Sequence, residues 1–280
     1  MKVDLVLLAT NEIESQEEFK NELLKYIFKS IDTNLSWINH IYYLIEEDTK
    51  IPYGLNLDNV TLVPKQSLSS DLPKELVENI DFEFLLMQLL ELSNSFIIMK
   101  DNTFITNKLN LEDFFDLETG QPIYSTILIT SKEPFKRVQE IVSNYTKIFP
   151  DKKIPPMVKK IIYGVQPCTK ELLSKTFWEA FGGKYSEKIT TEAIYYFGTK
   201  NSLAKESYNI GEGLFSYSSA WAGVIKYDLI NNKKRQILSI TNELNYSYNL
   251  IQSLHKTAYK WILEGLESRF GNQNSSYINE

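Results

Sequence analysis

Residues 95–104 read SFIIMKDNTF. The run Phe96-Ile97-Ile98-Met99 is apolar without interruption, as expected of a strand buried on both faces of a parallel sheet, and it stops abruptly at a carboxylate. Asp101 falls just past the strand's carboxyl end, where open α/β sheets bind ligands, with Asn102 as a second oxygen donor and Phe104 turning back to the core. Short polar residues in that position also start turns by bonding their own backbone. Both roles place the Asp101 carboxyl at the edge of a sheet.

The chain upstream supplies the neighbours of that strand. Residues 3–9, VDLVLLA, form a short buried strand with Asp4 inside it, ending at Thr10, Asn11 and Glu12. Ser15-Gln16-Glu17-Glu18 offers an N-cap and an acidic first turn to a helix in which Phe19, Leu23, Leu24, Ile27, Phe28 and Ile31 recur at helical spacing. A second strand, Ile41 to Ile45, follows Trp37 and ends in Glu46, Glu47 and Asp48, which completes a β-α-β unit and implies parallel strands. Residues 51–58 are loop by their Pro and Gly, and Val60 to Val63 make a third strand. A mainly helical stretch, 74–92, precedes the Asp101 strand; Asn110 caps a short helix at 111–115, and residues 122–129 read as a further strand.

Beyond Ser131 the texture becomes helical, over 134–148, 155–163 and 169–181. This predicts an N-terminal α/β core at 1–131, a mainly helical insertion at 132–215, and a closing segment at 216–280. Gly211-Glu212-Gly213 reads as a flexible loop, Trp221 to Leu229 and Gln236 to Ile240 as a hairpin about Asn231-Asn232, and 248–269 as a last amphipathic helix.

Composition narrows the function. Thirty Lys and Arg against 36 Asp and Glu give a net charge of −6 and no basic footprint for nucleic acid. The single Cys168 excludes an intrachain disulfide and a cysteine-rich zinc site and fits a reducing, cytoplasmic setting; two histidines, His40 and His255, exclude a histidine-rich metal site. No run approaches the length of a transmembrane helix, which restricts any membrane contact to a peripheral one. The chain does not specify an oligomeric state.

Four separated segments together resemble the Stealth family, the capsular-polysaccharide hexose-1-phosphate transferases related to the lysosomal-enzyme GlcNAc-phosphotransferase catalytic core. They are VDLVLLATNE at 3–12, the long stretch 22–104 ending in KDNTF, YGVQP at 163–167, and ITNELN at 240–245 with RFGNQNSSY at 269–277. The resemblance implies an α/β fold with a mostly parallel, nucleotide-sugar-transferase-like (GT-A-like) sheet, flanking helices and a helical insertion. It also shows substitutions: Asn102 stands where the family has a second Asp, and Tyr163 where it has a histidine.

The implied activity is transfer of a sugar-phosphate or sugar from a nucleotide sugar to a glycan acceptor, in polysaccharide or glycoconjugate biosynthesis. Such chemistry needs diphosphate charge neutralised, by Mg²⁺ or Mn²⁺ on a carboxylate, and an acceptor hydroxyl deprotonated. On the resemblance Asp101 is the metal ligand, Glu83 and Glu243 are further acidic catalytic groups, and Asp4, Asn11, Asn102, Tyr163 and Asn242 meet the donor. Lys25 and Lys29, one turn apart on the first helix, face a phosphate or, more simply, solvent. A non-catalytic relative that binds a nucleotide sugar, glycan or partner enzyme, and a glycosyltransferase that releases nucleoside diphosphate, are the alternatives.

Overall fold

Strands with no polar face have to be covered on both sides, and the centre of this protein is built from such strands. The computed structural model describes residues 1–9, 17–46, 54–69, 82–128, 159–161, 164–180, 191–207, 212–216, 219–231, 235–241 and 251–278. In chain order its elements are β1 (Val3–Leu8), α1 (Glu17–Asn34), β2 (Ile41–Ile45), β3 (Val60–Pro64), α2 (Phe82–Leu85), β4 (Ser95–Lys100), β5 (Thr103–Ile105) and β6 (Ile123–Leu128). They continue with β7 (Lys159–Ile161), β8 (Val165–Thr169), α3 (Lys170–Lys175), α4 (Thr191–Lys200), β9 (Lys205–Ser207), β10 (Glu212–Ser216), α5 (Ser219–Asn231), β11 (Ile237–Thr241) and α6 (Ile251–Phe270).

The fold is α/β, with a mostly parallel central sheet and flanking helices. Its five strands run in the order β3-β2-β1-β4-β8. The β1 and β2 strands are parallel, with Leu5 opposite Ile41 and Leu8 opposite Leu44, as the β-α-β reading requires. Leu23, Leu24, Ile27, Phe28 and Ile31 of α1 are buried. The chain therefore goes from β1 to one side for β2 and β3, and later places β4 on the other side. This reversal makes the gap between the carboxyl ends of β1 and β4 the topological switch point of the sheet.

The chain divides into two compact units, one of Met1–Asp4, Pro64–Ile98 and Leu111–Asn209, the other of Leu5–Val63, Met99–Asn110 and Ile210–Glu280. In the first, β6 pairs in parallel with β9 and antiparallel with β7. The Asp4 carboxylate accepts the Ser93 backbone N–H at 2.7 Å, and Lys170 Nζ donates to the carbonyls of Leu89 at 3.0 Å and Leu90 at 3.1 Å, so two charged side chains order the turn leading into β4. Cys168 is buried on β8.

In the second unit a three-stranded sheet, β10-β11-β5, has β10 and β11 parallel and β11 antiparallel to β5. Helix α5 crosses between the two parallel strands, giving a second β-α-β unit. The side of β5 toward α1 is satisfied by helix side chains: Ser30 Oγ accepts the Ile105 N–H and Asn34 Nδ2 donates to the Ile105 carbonyl at 2.7 Å. Helices α5 and α6 pack closely at two glycines, because Gly223 meets the ring of Trp261 while a Cβ at Gly265 would stand 3.1 Å from Lys226 Cα. After α6 the chain returns to α1, where Ser276 bonds Asp32 and the Tyr277 ring packs on Phe28.

The structure corrects several sequence expectations. Trp221 to Leu229 belongs to helix α5 and forms no hairpin with β11; Ala222, Ile225 and Leu229 are buried at helical spacing. Lys159–Ile161 is a strand where a helix over 155–163 was expected, and Val165–Thr169 is a strand of the central sheet. Glu212 and Gly213, expected in a flexible loop, begin β10. Lys29 is buried and reaches toward the Gly271 carbonyl at 3.4 Å, so it does not lie on a solvated face. The helix expected over 134–148 lies outside the described residues.

Two outcomes follow from this packing. Gly265→Val forces a side chain against Lys226 and Leu229 and lowers stability by about 1–3 kcal/mol, read as a shifted urea midpoint with an unchanged slope. Burial pushes the Cys168 thiol up to about 12, so an aromatic disulfide reagent at pH 8 modifies it only as fast as the protein unfolds. Because the folded pKa is raised, the thiol's contribution to stability is complete below the unfolded value of about 8.5 and is lost as pH rises toward 12.

Candidate functional site

The carboxyl end of β4 is fixed from three directions within the second unit. The Asp101 N–H donates to the Leu8 carbonyl at 2.9 Å, which carries the pairing with β1 one step past the end of β4. On the following residue, the Asn102 carbonyl accepts the Ile240 N–H at 2.9 Å. Thr103 Oγ1 donates to Asn102 Oδ1 at 3.2 Å and lies 3.0 Å from Ser239 Oγ, its register partner's hydroxyl across β11 and β5. The Asp101-Asn102 turn is thus a junction of the central sheet with the smaller one.

Asp101 is only 6 % exposed. A carboxylate that far from water is costly unless donors face it. Tyr43 provides one, donating its hydroxyl to Asp101 Oδ2 at 3.2 Å from the neighbouring part of the sheet. The Tyr43 ring is itself held edge-on by Phe28 of α1, with centroids 6.4 Å apart and planes at 87°. Burial, reinforced by the Asp101 charge and hydrogen bond, pushes the Tyr43 phenol far above its ordinary value, so it remains a protonated donor throughout the neutral range. Tyr43 was not singled out in the sequence; the signal available was a tyrosine inside an otherwise apolar strand, since a buried tyrosine hydroxyl ordinarily finds a partner.

The other candidate residues distribute as follows. Asn102 is buried beside Asp101 in the turn. Asp4, at the start of β1, bonds the Ser93 backbone. Glu83 is half-buried on α2 in the first unit, where its charge is one of the influences on Cys168. Asn11, Tyr163, Asn242 and Glu243 lie outside the described residues. By covalent connection, however, Asn11 comes two residues after Ala9, whose N–H bonds Leu44, and Asn242 two residues after Ile240, which bonds Asn102. His40 bonds Thr61 Oγ1 at 2.8 Å and stacks edge-on to Tyr42, a packing role.

Among the described residues no group of three or more His, Cys, Asp or Glu side chains converges. The oxygen donors that the turn offers are one carboxylate, Asp101, and one amide, Asn102. That set fits Mg²⁺ or Mn²⁺ bound in the manner of nucleotide sites, where one or two carboxylates and the substrate phosphates share the ion. No helix among the described residues is long and apolar enough to cross a membrane.

Comparison with known proteins bears on this same edge. The chain is 25% identical over 149 residues to a capsular polysaccharide phosphotransferase, WcwK, of Streptococcus pneumoniae, covering 51% of this chain and 44% of that protein. It is 30% identical over 109 residues to the N-acetylglucosamine-1-phosphotransferase subunits alpha/beta of Mus musculus, covering 38% of this chain and 9% of that protein. The chain therefore spans less than half the length of either relative. Among solved structures, galactosyltransferase LgtC in complex with donor and acceptor sugar analogs superposes with a TM-score of 0.46 at 9% identity, covering 97% of this chain and 96% of that one. Residues 18–123 match the family model for Stealth protein CR2, conserved region 2. The segment that runs from α1 to the start of β6, with Tyr43, Asp101 and Asn102 inside it, thus matches the Stealth conserved region 2.

Proposed function

We propose that this protein transfers a sugar-phosphate or a sugar from a nucleotide-sugar donor to a glycan acceptor in polysaccharide or glycoconjugate assembly. The observation that carries the reading is Asp101 at the switch point of the sheet, buried and held by the Tyr43 hydroxyl inside the Stealth-matching segment. Open α/β sheets bind their ligands at that place, and a carboxylate there suits the charge of a donor diphosphate shared with a divalent ion.

In this mechanism Asp101 and Asn102 would hold Mg²⁺ or Mn²⁺, which would supply positive charge to neutralise the diphosphate. The Tyr43 hydroxyl, donating to Oδ2, holds the Asp101 carboxylate in one orientation. Asn11 and Asn242 follow in sequence the two strands that end beside the turn, and they contribute hydrogen bonds to the donor. Glu243, one residue beyond Asn242, takes the proton of the acceptor hydroxyl. Asp4 has a backbone partner in Ser93 and is left out of the chemistry. For sugar-phosphate transfer, the acceptor oxygen bonds to the sugar-linked phosphorus and the bond from that phosphorus to the nucleotide breaks, so nucleoside monophosphate leaves. For glycosyl transfer the oxygen bonds to the anomeric carbon and nucleoside diphosphate leaves. Asn102, where the family has Asp, favours a second reading in which the donor is bound without turnover.

Incubation with mixed nucleotide sugars, Mg²⁺ or Mn²⁺ and simple glycan acceptors separates these outcomes. A phosphodiester product with nucleoside monophosphate is expected; donor binding with neither product identifies the non-catalytic relative. Asp101→Asn, which keeps an acceptor for Tyr43, abolishes metal-dependent donor binding in calorimetry while the protein stays folded; unchanged binding removes Asp101 from the site. Tyr43→Phe strips a buried carboxylate of a donor and lowers stability by about 1.5–3 kcal/mol, with a parallel loss of donor affinity.

A further inference from the structure

Away from Asp101, the second unit contains a cavity of about 350 Å³ whose lining includes Asn34, Thr106, Ile230, Ser268, Arg269 and Gln273. Its polar groups are unequally used. Asn34 Nδ2 is committed to the Ile105 carbonyl and the Thr106 hydroxyl to the Arg235 carbonyl. Arg269 bonds the Thr106 carbonyl and Asn107 Oδ1, both through Nη2, which leaves the Nε and Nη1 protons without a protein acceptor among the described residues. No carboxylate among the described residues pairs with that guanidinium. Gln273 accepts from Thr33 on Oε1 at 2.6 Å, and its Nε2 is likewise unspent. Among the described residues the lining holds no acidic side chain; its unspent groups are the Arg269 and Gln273 donors, the Asn34 Oδ1 acceptor and the Ser268 hydroxyl, and its one formal charge, the Arg269 guanidinium, suits an anion.

The cavity lies at one end of the seam between α5 and α6. From Gly223, where an added Cβ would stand 3.4 Å from the Trp261 ring, the seam passes Lys226 and Gly265 and reaches Ile230 and Ser268, the last two lining the cavity. The seven residue steps from Trp261 to Ser268 correspond to about 10 Å of helix. Along it Tyr227 is 68% exposed and Trp261 41%, with Ile230 at 40%. Lys226 and Lys260 share the single Glu264, at 2.5 Å and 4.0 Å, while the nearby Glu267 turns to the Tyr26 hydroxyl. In a chain of net charge −6 this strip is locally balanced, with Lys226, Lys260 and Arg269 against Asp228, Glu264 and Glu267, and it carries two exposed aromatic side chains.

We infer that the seam and cavity bind an anionic saccharide, whose carboxylate or phosphate enters the cavity onto Arg269 and Gln273 while its sugar rings lie along Tyr227 and Trp261. The donors alone point to an anion; the choice of a carbohydrate rests on the transferase reading above. This is a second glycan contact, separate from Asp101, suited to holding a charged acceptor chain.

The test is titration of the full chain, observed through the Trp261 indole N–H resonance, with no nucleotide sugar or metal present. Probes are a uronate-containing tetrasaccharide, a phosphorylated tetrasaccharide, a neutral tetrasaccharide, inorganic phosphate and a tetraglutamate peptide. Charged saccharides are expected to bind at least about tenfold more tightly than the neutral one, with Arg269→Gln removing that advantage and Arg269→Lys restoring part of it. Comparison of the uronate and phosphate probes identifies the preferred anion. Tyr227→Ser, at an exposed position, weakens saccharide binding several-fold without changing the affinity for inorganic phosphate. The inference is overturned if the charged saccharides bind no better than the neutral one, if a folded Arg269→Gln or Tyr227→Ser binds like the wild type, or if tetraglutamate binds as well. Asp101→Asn leaves the titration unchanged, so a failure of donor chemistry is read separately from a failure here.

Discussion

A buried carboxylate with a tyrosine hydroxyl donating to it is the contact on which the carboxyl edge of this sheet depends. Asp101 is 6 % exposed, so its charge has to be met by groups of the protein itself. Tyr43 meets part of it without introducing a counter-charge, and its own ionisation is suppressed by the same burial that makes the pairing necessary. The result is an anionic group whose position is set by packing, through Phe28 against the Tyr43 ring and Leu8 against the Asp101 backbone. A cation arriving at such a group finds it already oriented.

The second unit surrounds that edge with two β-α-β arrangements linked by the short β5 strand. One supplies β1 and β2, the other β10 and β11, and the Asn102 turn bonds both, by its preceding residue to Leu8 and by its own carbonyl to Ile240. Buried polar side chains make this junction possible. Ser30 and Asn34 of α1 satisfy one side of β5, and Thr103 with Ser239 joins β5 to β11. Each such pair avoids the cost of an orphaned buried polar group, and together they restrict the turn to one geometry.

The parts of this arrangement visible in the sequence were those set by local pattern. Largely apolar runs at 3–8, 41–45 and 96–99 stop at polar residues, and the spacing within α1 identifies its buried face, so the order of the first elements and the location of Asp101 could be read directly. Val165–Thr169 was hidden by Pro167, which opposes a strand in the interior of a sheet but is tolerated here because β8 is an edge strand. Helix α5 was misread because Val224, Tyr227 and Ile230 are apolar yet exposed, which erases the polar face that marks a surface helix. Tyr43 is 58 positions from Asp101, and no periodicity connects the two; only the folded sheet shows the pairing. The same holds for Arg269, which sequence alone presents as one basic residue in the last turn of a helix.

The proposed site for a metal-shared diphosphate is the Asp101-Asn102 turn, and paramagnetic broadening locates such an ion directly. Backbone amide spectra recorded with a nucleotide sugar and increasing Mn²⁺ should lose intensity first at residues 100–103 and at the neighbouring strand ends, Leu8 and Ile240, and the losses should require the nucleotide sugar. Broadening centred elsewhere, or losses indifferent to the nucleotide sugar, would contradict the placement of the donor at this edge.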